Sequence, residues 1–299
     1  MDEEQWLAER FEEHRGHLRA VAYRMLGSLT EADDAVQDTW LRLSRSGGDQ
    51  VRDLRGWLTT VVGRVCLNML RARNVRREEA LGVRVPDPLV STDEELEPEL
   101  QALLADSVGL ALLVVLDTLS PAERLAFVLH DMFDLPFEDI AGLADRTPAA
   151  VRQLASRARR RVKGVGVPDP DLARQREVVD AFFAAARRGD FDALVAVLDP
   201  RVVLRADTGA ALPAAALLVH GAEAVARQAL AGLAPVISRP ALHLHPALVN
   251  GAAGVIVTMR GRPVTVVGFT VAGGRIVEID AIADAERVRR ITAAALGDG

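Results

Sequence analysis

Two dense arginine clusters in the first 163 residues of this 299-residue chain contain no acid. Residues 64–77 hold Arg64, Arg71, Arg73, Arg76 and Arg77, with Asn68 among them. Residues 147–163 hold Arg152, Arg157, Arg159, Arg160, Arg161 and Lys163, with Gln153 and Ser156 interleaved. A guanidinium donates two parallel hydrogen bonds to a phosphate or a guanine edge, and a side-chain amide pairs with adenine. Both clusters therefore suit nucleic-acid contact; the plainer reading of either alone is a solvated helix face. Salt confines such attraction to about 8 Å, so local clusters matter more than the net charge of −6. Asp207, His220, His243 and His245 are the other groups able to do chemistry. His243 and His245 alternate on an expected strand and share a face, but two histidines without a placed carboxylate make a poor metal site. They read as core or surface histidines, and no metal, cofactor or catalytic residue is assigned. Cys66 stands alone, which excludes an intrachain disulfide and a cysteine zinc site.

The second cluster sits in a sharply punctuated set of helices. Ser120-Pro121-Ala122-Glu123 forms a capping box, with Ser at the N-cap, Pro at N1 and Glu at N3. A short helix starts at Pro136, Asp145-Arg146 makes a turn, and Thr147-Pro148 caps a third helix to Val162. Val151, Leu154 and Ala158 form its inward face. Arg152, Gln153, Ser156, Arg157 and Arg160 project elsewhere, as in a helix laid in a major groove, while Arg159, Arg161 and Lys163 suit phosphates. Further upstream, helical periodicity covers 18–26, a helix capped by Thr30 runs through Leu43 to Gly47-Gly48, and another spans 54–70.

Between the helical blocks lies EEALGVRVPDPLVSTDEELEPE, residues 78–99, with eight acids, one base and three prolines that forbid a continuous helix. The second linker is GVGVPDP, 164–170. Beyond it come helices at 171–187 and 191–198, a strand at 202–206 and a helix near 221–232. β-rich runs follow at 241–249, 253–260, 263–272 and 275–283, then a final helix. Helices followed by a curling antiparallel sheet make an α+β domain. The boundaries are 1–77, linker 78–105, 106–164, short linker 165–170, and 171–299. Hydrophobic residues at 49% and charged residues at 26% are ordinary globular values. No run approaches about 18 apolar residues, and the acidic start MDEEQW lacks a secretory pattern, so the expectation is a cytoplasmic protein without a membrane partner.

The helical blocks resemble an ECF-type RNA polymerase sigma factor. LRAVAYRMLGSLTEADDAVQDTWLRL resembles sigma regions 2.1–2.2, and DLRGWLTTVVGRVCLNMLRARNVRRE resembles regions 2.3–2.4. LDTLSPAERLAFVLHDMFDLPFEDIAGLADRTPAAVRQLASRARRRVKG resembles region 4. The remainder resembles a SnoaL-like cone fold, a combination similar to the SigJ-like subgroup. The resemblance implies two all-α sigma domains plus an α+β SnoaL-like domain, and partnership with core RNA polymerase and promoter DNA. By that likeness Asp33, Asp34, Gln37, Asp38, Trp40 and Leu41 dock on the β′ clamp helices; an acidic and apolar face suits a basic coiled coil, and Trp40 in the core is the alternative. Arg64, Asn68 and the run Arg71, Arg73, Arg76 and Arg77 capture the −10 element, with Trp57 either a stacking platform or, preferably, core. Arg152, Gln153, Ser156, Arg157 and Arg160 read the −35 element, while another face of region 4 meets the β flap.

The acidic linker is either a nucleic-acid mimic in the polymerase cleft or a solvated tether. In the subgroup a proline-containing linker touches the C-terminal domain, which implicates Pro86, Asp87, Pro88 and Asp207. Asp207-Thr208-Gly209-Ala210 departs from the subgroup's glycine-rich turn. The resulting expectation is a non-enzymatic initiation factor regulated in cis by its C-terminal domain, which is packed on region 2 and the linker. An unidentified small ligand in that domain is possible. The rival readings are a ligand-responsive DNA-binding regulator and a cone-fold enzyme fused to a DNA-binding module.

Overall fold

The computed structural model describes residues 3–46, 53–77, 84–92, 109–164, 166, 168–209, 217–237 and 239–296. They fall into two compact units. The first holds both sigma-like helical blocks. The second holds linker residues 84–92, residues 109–111 and the chain from Gly166 onward.

The first unit opens with α1 (Glu3–Leu26), α2 (Leu29–Ser46) and α3 (Leu54–Arg77). Leu18, Val21, Met25, Leu43, Leu58 and Leu67 are buried among them. Gly27, in the left-handed region at φ +67°, turns the chain from α1 into α2. Helix α2 therefore starts at Leu29, and Thr30 lies inside its first turn instead of capping it. Helix α3 continues seven residues past the expected end, because no proline or glycine interrupts the arginine run.

Next come α4 (Leu110–Thr118), α5 (Pro121–Phe127) with a wider turn over Val128–Met132, α6 (Phe137–Ala144) and α7 (Pro148–Val162). The capping box forms: the Glu123 amide donates to Ser120 Oγ, and the Ser120 amide donates to the Glu123 carboxylate at 3.1 Å. Burial opposes ionisation of Glu123, yet the Ser120 hydrogen bonds and nearby Arg161 and Arg157 hold its pKa below the usual range. Asp145, at φ +55°, ends α6 and Thr147 caps α7. The two blocks pack on each other across Gly63 of α3. A Cβ there would stand 2.9 Å from Leu129 Cδ1, so glycine permits this closeness.

The second unit contains α8 (Leu172–Arg188), α9 (Phe191–Val197), β2 (Leu198–Asp207), β3 (Leu217–His220), α10 (Ala222–Gln228), α11 (Ala234–Ile237) and β4 (Leu242–Val249). It continues with β5 (Ala252–Met259), β6 (Arg262–Ala272), β7 (Arg275–Ile282) and α12 (Ala285–Leu296). Linker residues Val90–Ser91 form β1, giving the strand order β1-β4-β5-β6-β7-β2-β3 among the described residues. The expected antiparallel sheet needs one correction: β2 and β7 pair in parallel. They are distant in sequence and joined through intervening elements, which frees them from hairpin geometry. Strands β1 and β3 were not expected. Phe182, Phe183 and Phe269, with ring centroids 5.6–5.8 Å apart, fill the space between α8 and the sheet. The opposite sheet face buries Val85, Val90, Leu110, Val249, Ile256, Val266, Ile282 and Val288.

Candidate nucleic-acid interface

Helix α7 separates its faces cleanly. Val151, Ala155 and Ala158 are buried, whereas Arg152, Gln153, Ser156, Arg157 and Arg160 are all exposed. Leu154, expected inside, is half-buried. The Arg152 guanidinium lies 5.1 Å from the Phe137 ring centre, and its outer nitrogen stands 4.0 Å from the Glu138 carboxylate, an exposed and loose pairing. Arg159 donates to Asp131 at 2.6 Å and Arg161 to the Thr118 carbonyl at 3.2 Å, so both are tied to neighbouring helices.

Helix α3 carries a second solvent-facing stripe. Trp57, Thr60, Arg64, Asn68 and Arg71 follow at intervals of three and four residues, which places them along one side. Arg64, Asn68 and Arg71 are exposed, and Trp57 is half-buried. Arg73 departs from the exposed set: only 9% accessible, it donates to the Leu26 carbonyl and pairs with Glu31. Its position in the arginine run hid this, because its partners come from α1 and α2. The side chains of Arg76 and Arg77 lie outside the described residues. Trp57 and Thr60 line a 480 Å³ groove shared with Arg55, Phe133, Pro136 and Asp139.

Helix α2 presents Asp33, Asp34, Gln37 and Leu41 to solvent, with Asp38 and Trp40 half-buried. Trp40 leans on Phe11 at 5.2 Å between centroids and borders a groove of about 270 Å³ between α1 and α2. Arg19 holds Asp33 at 2.7 Å, and Arg42 donates to Asp38 at 3.0 Å.

These surfaces belong to helical blocks locked by buried charge. Arg124 of α5, 1% exposed, donates to the Arg24 carbonyl and, at 3.1 Å, to Asp117. His17 of α1 meets Thr59 Oγ1 at 2.9 Å and sets its ring edge-on to Phe133. Burial, reinforced by Arg55, pushes the His17 pKa down to about 4.

In the second unit the linker is clamped. Arg287 of α12 donates to Asp87 at 2.8 Å, to Asp207 at 2.7 Å and to the Val85 carbonyl. Asp207 also accepts from the Val85 and Gly209 amides at 2.9 Å each. Asn250 grips Leu89 twice, its side-chain oxygen accepting from the Leu89 amide and its own amide donating to the Leu89 carbonyl. Asp87 and Asp207 thus share one guanidinium, flanked by Pro86 and Pro88. Sequence reasoning missed Arg287, 200 residues from Asp87. The linker acids Asp93, Glu94, Glu95, Glu97 and Glu99 lie outside the described residues.

His245 Nε2 meets Thr258 Oγ1 at 2.9 Å, and His243 is exposed. Asp280 is buried beside Arg205 at 3.1 Å; desolvation raises its pKa to about 7 against the pull of that arginine. Among the described residues no three metal-ligating side chains cluster, and no helix is long and apolar enough to cross a membrane.

Three family profiles match in order: Sigma-70 region 2 over residues 10–76, Sigma-70 region 4 over 109–162, and a SnoaL-like domain over 179–281. The chain is 41% identical over 220 residues to the ECF RNA polymerase sigma factor SigJ of Mycobacterium tuberculosis, covering 73% of this chain and 70% of that one. It is 38% identical over 190 residues to a probable ECF RNA polymerase sigma factor, SigI, of the same species, covering 63% and 66%. The crystal structure of Mycobacterium tuberculosis SigJ superposes with a TM-score of 0.72 at 35% identity, covering 94% of this chain and 97% of that one.

Proposed function

The chain belongs to the ECF sigma factors of RNA polymerase, and from that premise we propose how its surfaces divide the work. Helix α2 docks on the β′ clamp helices through Asp34, Gln37, Trp40 and Leu41, with Asp33 and Asp38 at the rim. The stripe Arg64, Asn68 and Arg71, continued by Arg76 and Arg77, holds the opened −10 strand: arginines grip the backbone and the amide reads a base edge. Arg73 acts by positioning α3. Helix α7 reads the −35 element through Arg152, Gln153, Ser156, Arg157 and Arg160, and another face of region 4 meets the β flap. The factor works in the cytoplasm, alongside the polymerase.

The observation that carries this reading is the split of α7. Five polar or basic side chains face solvent on a helix whose other side is buried in a capped helix-turn-helix. The C-terminal domain acts as a regulator in cis rather than as an enzyme. Asp207, its best candidate base, has its carboxylate occupied by Arg287 and two amides. The docked linker and the packed helical blocks together describe a resting state, and engaging two spaced promoter elements requires the blocks to part. Run-off transcription with purified core polymerase on a promoter library tests this. The full chain should select promoters with two conserved elements, Arg157→Ala should relax selection at one −35 position, and removal of residues 171–299 should change output. Failure of every form to associate with core polymerase would overturn the reading.

A further inference from the structure

From Ala224 to Val277 the chain contains no aspartate or glutamate, yet carries Arg227, Arg239, Arg260, Arg262 and Arg275. The fold gathers three of these at one end of the sheet. Arg260 and Gly261, both at positive φ, form the tight turn from β5 to β6, and Arg262 opens β6 opposite Met259. Arg239 lies just before β4, where its carbonyl accepts from the Leu242 amide at 3.0 Å. The Arg260 amide donates to the Ala241 carbonyl at 2.9 Å, which fastens the two corners together. All three side chains are exposed. Exposed His243 and half-buried His245 continue the patch along β4.

Other arginines of this unit are committed to carboxylates: Arg205 to Glu278 and Asp280, Arg287 to Asp87 and Asp207, Arg290 to Asp87, and Arg227 to Glu223. No carboxylate among the described residues pairs with Arg239, Arg260 or Arg262. Three exposed guanidinium forks at one end of the sheet, far in sequence from any acid, suit a phosphate backbone. We infer that this corner of the C-terminal domain is a further DNA contact, gripping the phosphate backbone without reading sequence. The inference rests on the promoter-binding reading above, which supplies the polyanion. Backbone contact fixes position and adds salt-dependent affinity, whereas base selection stays with the helical blocks.

The test uses the full chain and a fluorescent duplex of arbitrary sequence, with affinity followed by anisotropy over a series of salt concentrations. Each phosphate contact contributes about 0.9 to the slope of log affinity against log salt. The combined variant Arg239→Ala, Arg260→Ala, Arg262→Ala should lower that slope by about 2–3. It should weaken binding equally on any duplex, with thermal melting unchanged. The corresponding Arg→Lys triple should retain most of the slope, since charge is kept. An unchanged slope in the alanine triple overturns the inference while leaving promoter binding intact. Displacement of the duplex by polyglutamate at equal charge also overturns it, pointing to an acidic protein partner. A parent chain that binds no duplex at any salt overturns this inference alone, because the reading beneath it stands or falls on association with core polymerase.

Discussion

Replacing Arg287 by Met probes the linker clamp directly. The guanidinium, 17% exposed, lies between Asp87 and Asp207, whose side chains are 6% and 7% exposed. Methionine keeps the aliphatic bulk and removes every donor, leaving two buried carboxylates short of a cation. Breaking a buried ion pair costs about 3–5 kcal/mol. The lower end applies here, because Asp87 keeps Arg290 at 3.4 Å and Asp207 keeps the Val85 and Gly209 amides. About 3 kcal/mol corresponds to a roughly 100-fold rise in the undocked population, at about 1.4 kcal/mol per decade. Hydrogen exchange reads this at two amides that close the clamp, Leu89 and Asn250. Both should lose about two decades of protection through local opening, while the β5 and β6 amides keep theirs. Undiminished protection at Leu89 in a folded Arg287→Met chain would show that the strand pairing and Asn250 hold the linker unaided.

The seam between the helical blocks should be sensitive to volume. Gly63→Leu forces a side chain onto Leu125 and Leu129, an overpacking of about 1–3 kcal/mol, and should lower energy transfer between dyes on α2 and α7; unchanged transfer would count against the seam. The same seam should weaken in acid. His17 titrates near 4 when folded, against 6.5 for the free side chain, so its contribution is complete above pH 6.5 and is lost as pH falls towards 4. The full shift is worth about 3 kcal/mol, roughly halved by partial exposure of the ring. Urea midpoints at pH 7 and 4.5 should therefore fall further in the parent than in His17→Gln; an offset between them that is constant with pH would refute this.

What the sequence disclosed was mostly local. The capping box at Ser120, the αL turn at Asp145 and the Thr147 cap are governed by residues within four positions, and the whole helix-turn-helix was legible. The exposed face of α7 followed from its period. The fate of Arg73 was not legible, because its burial depends on Leu26 and Glu31, more than 40 residues away. Strand β1 was hidden for a related reason. Its two residues are a strand only because Leu248 and Val249 lie alongside, across some 160 positions. That Asp87 and Asp207 belong to a contact between linker and C-terminal domain came from family likeness, but the cation that joins the two acids could not be read from either acid's surroundings.

Strand β4 would otherwise form a raw margin of the sheet. Pro246, which has no amide hydrogen, blunts the middle of that margin, and the linker covers Leu248 and Val249. Peeling the linker away therefore does more than release a tether: it uncovers main-chain donors and acceptors beside two apolar residues, a template on which a foreign strand can crystallise. An activated molecule of this kind carries an intrinsic hazard of clumping, and its open lifetime is best kept short unless something else occupies the vacated margin.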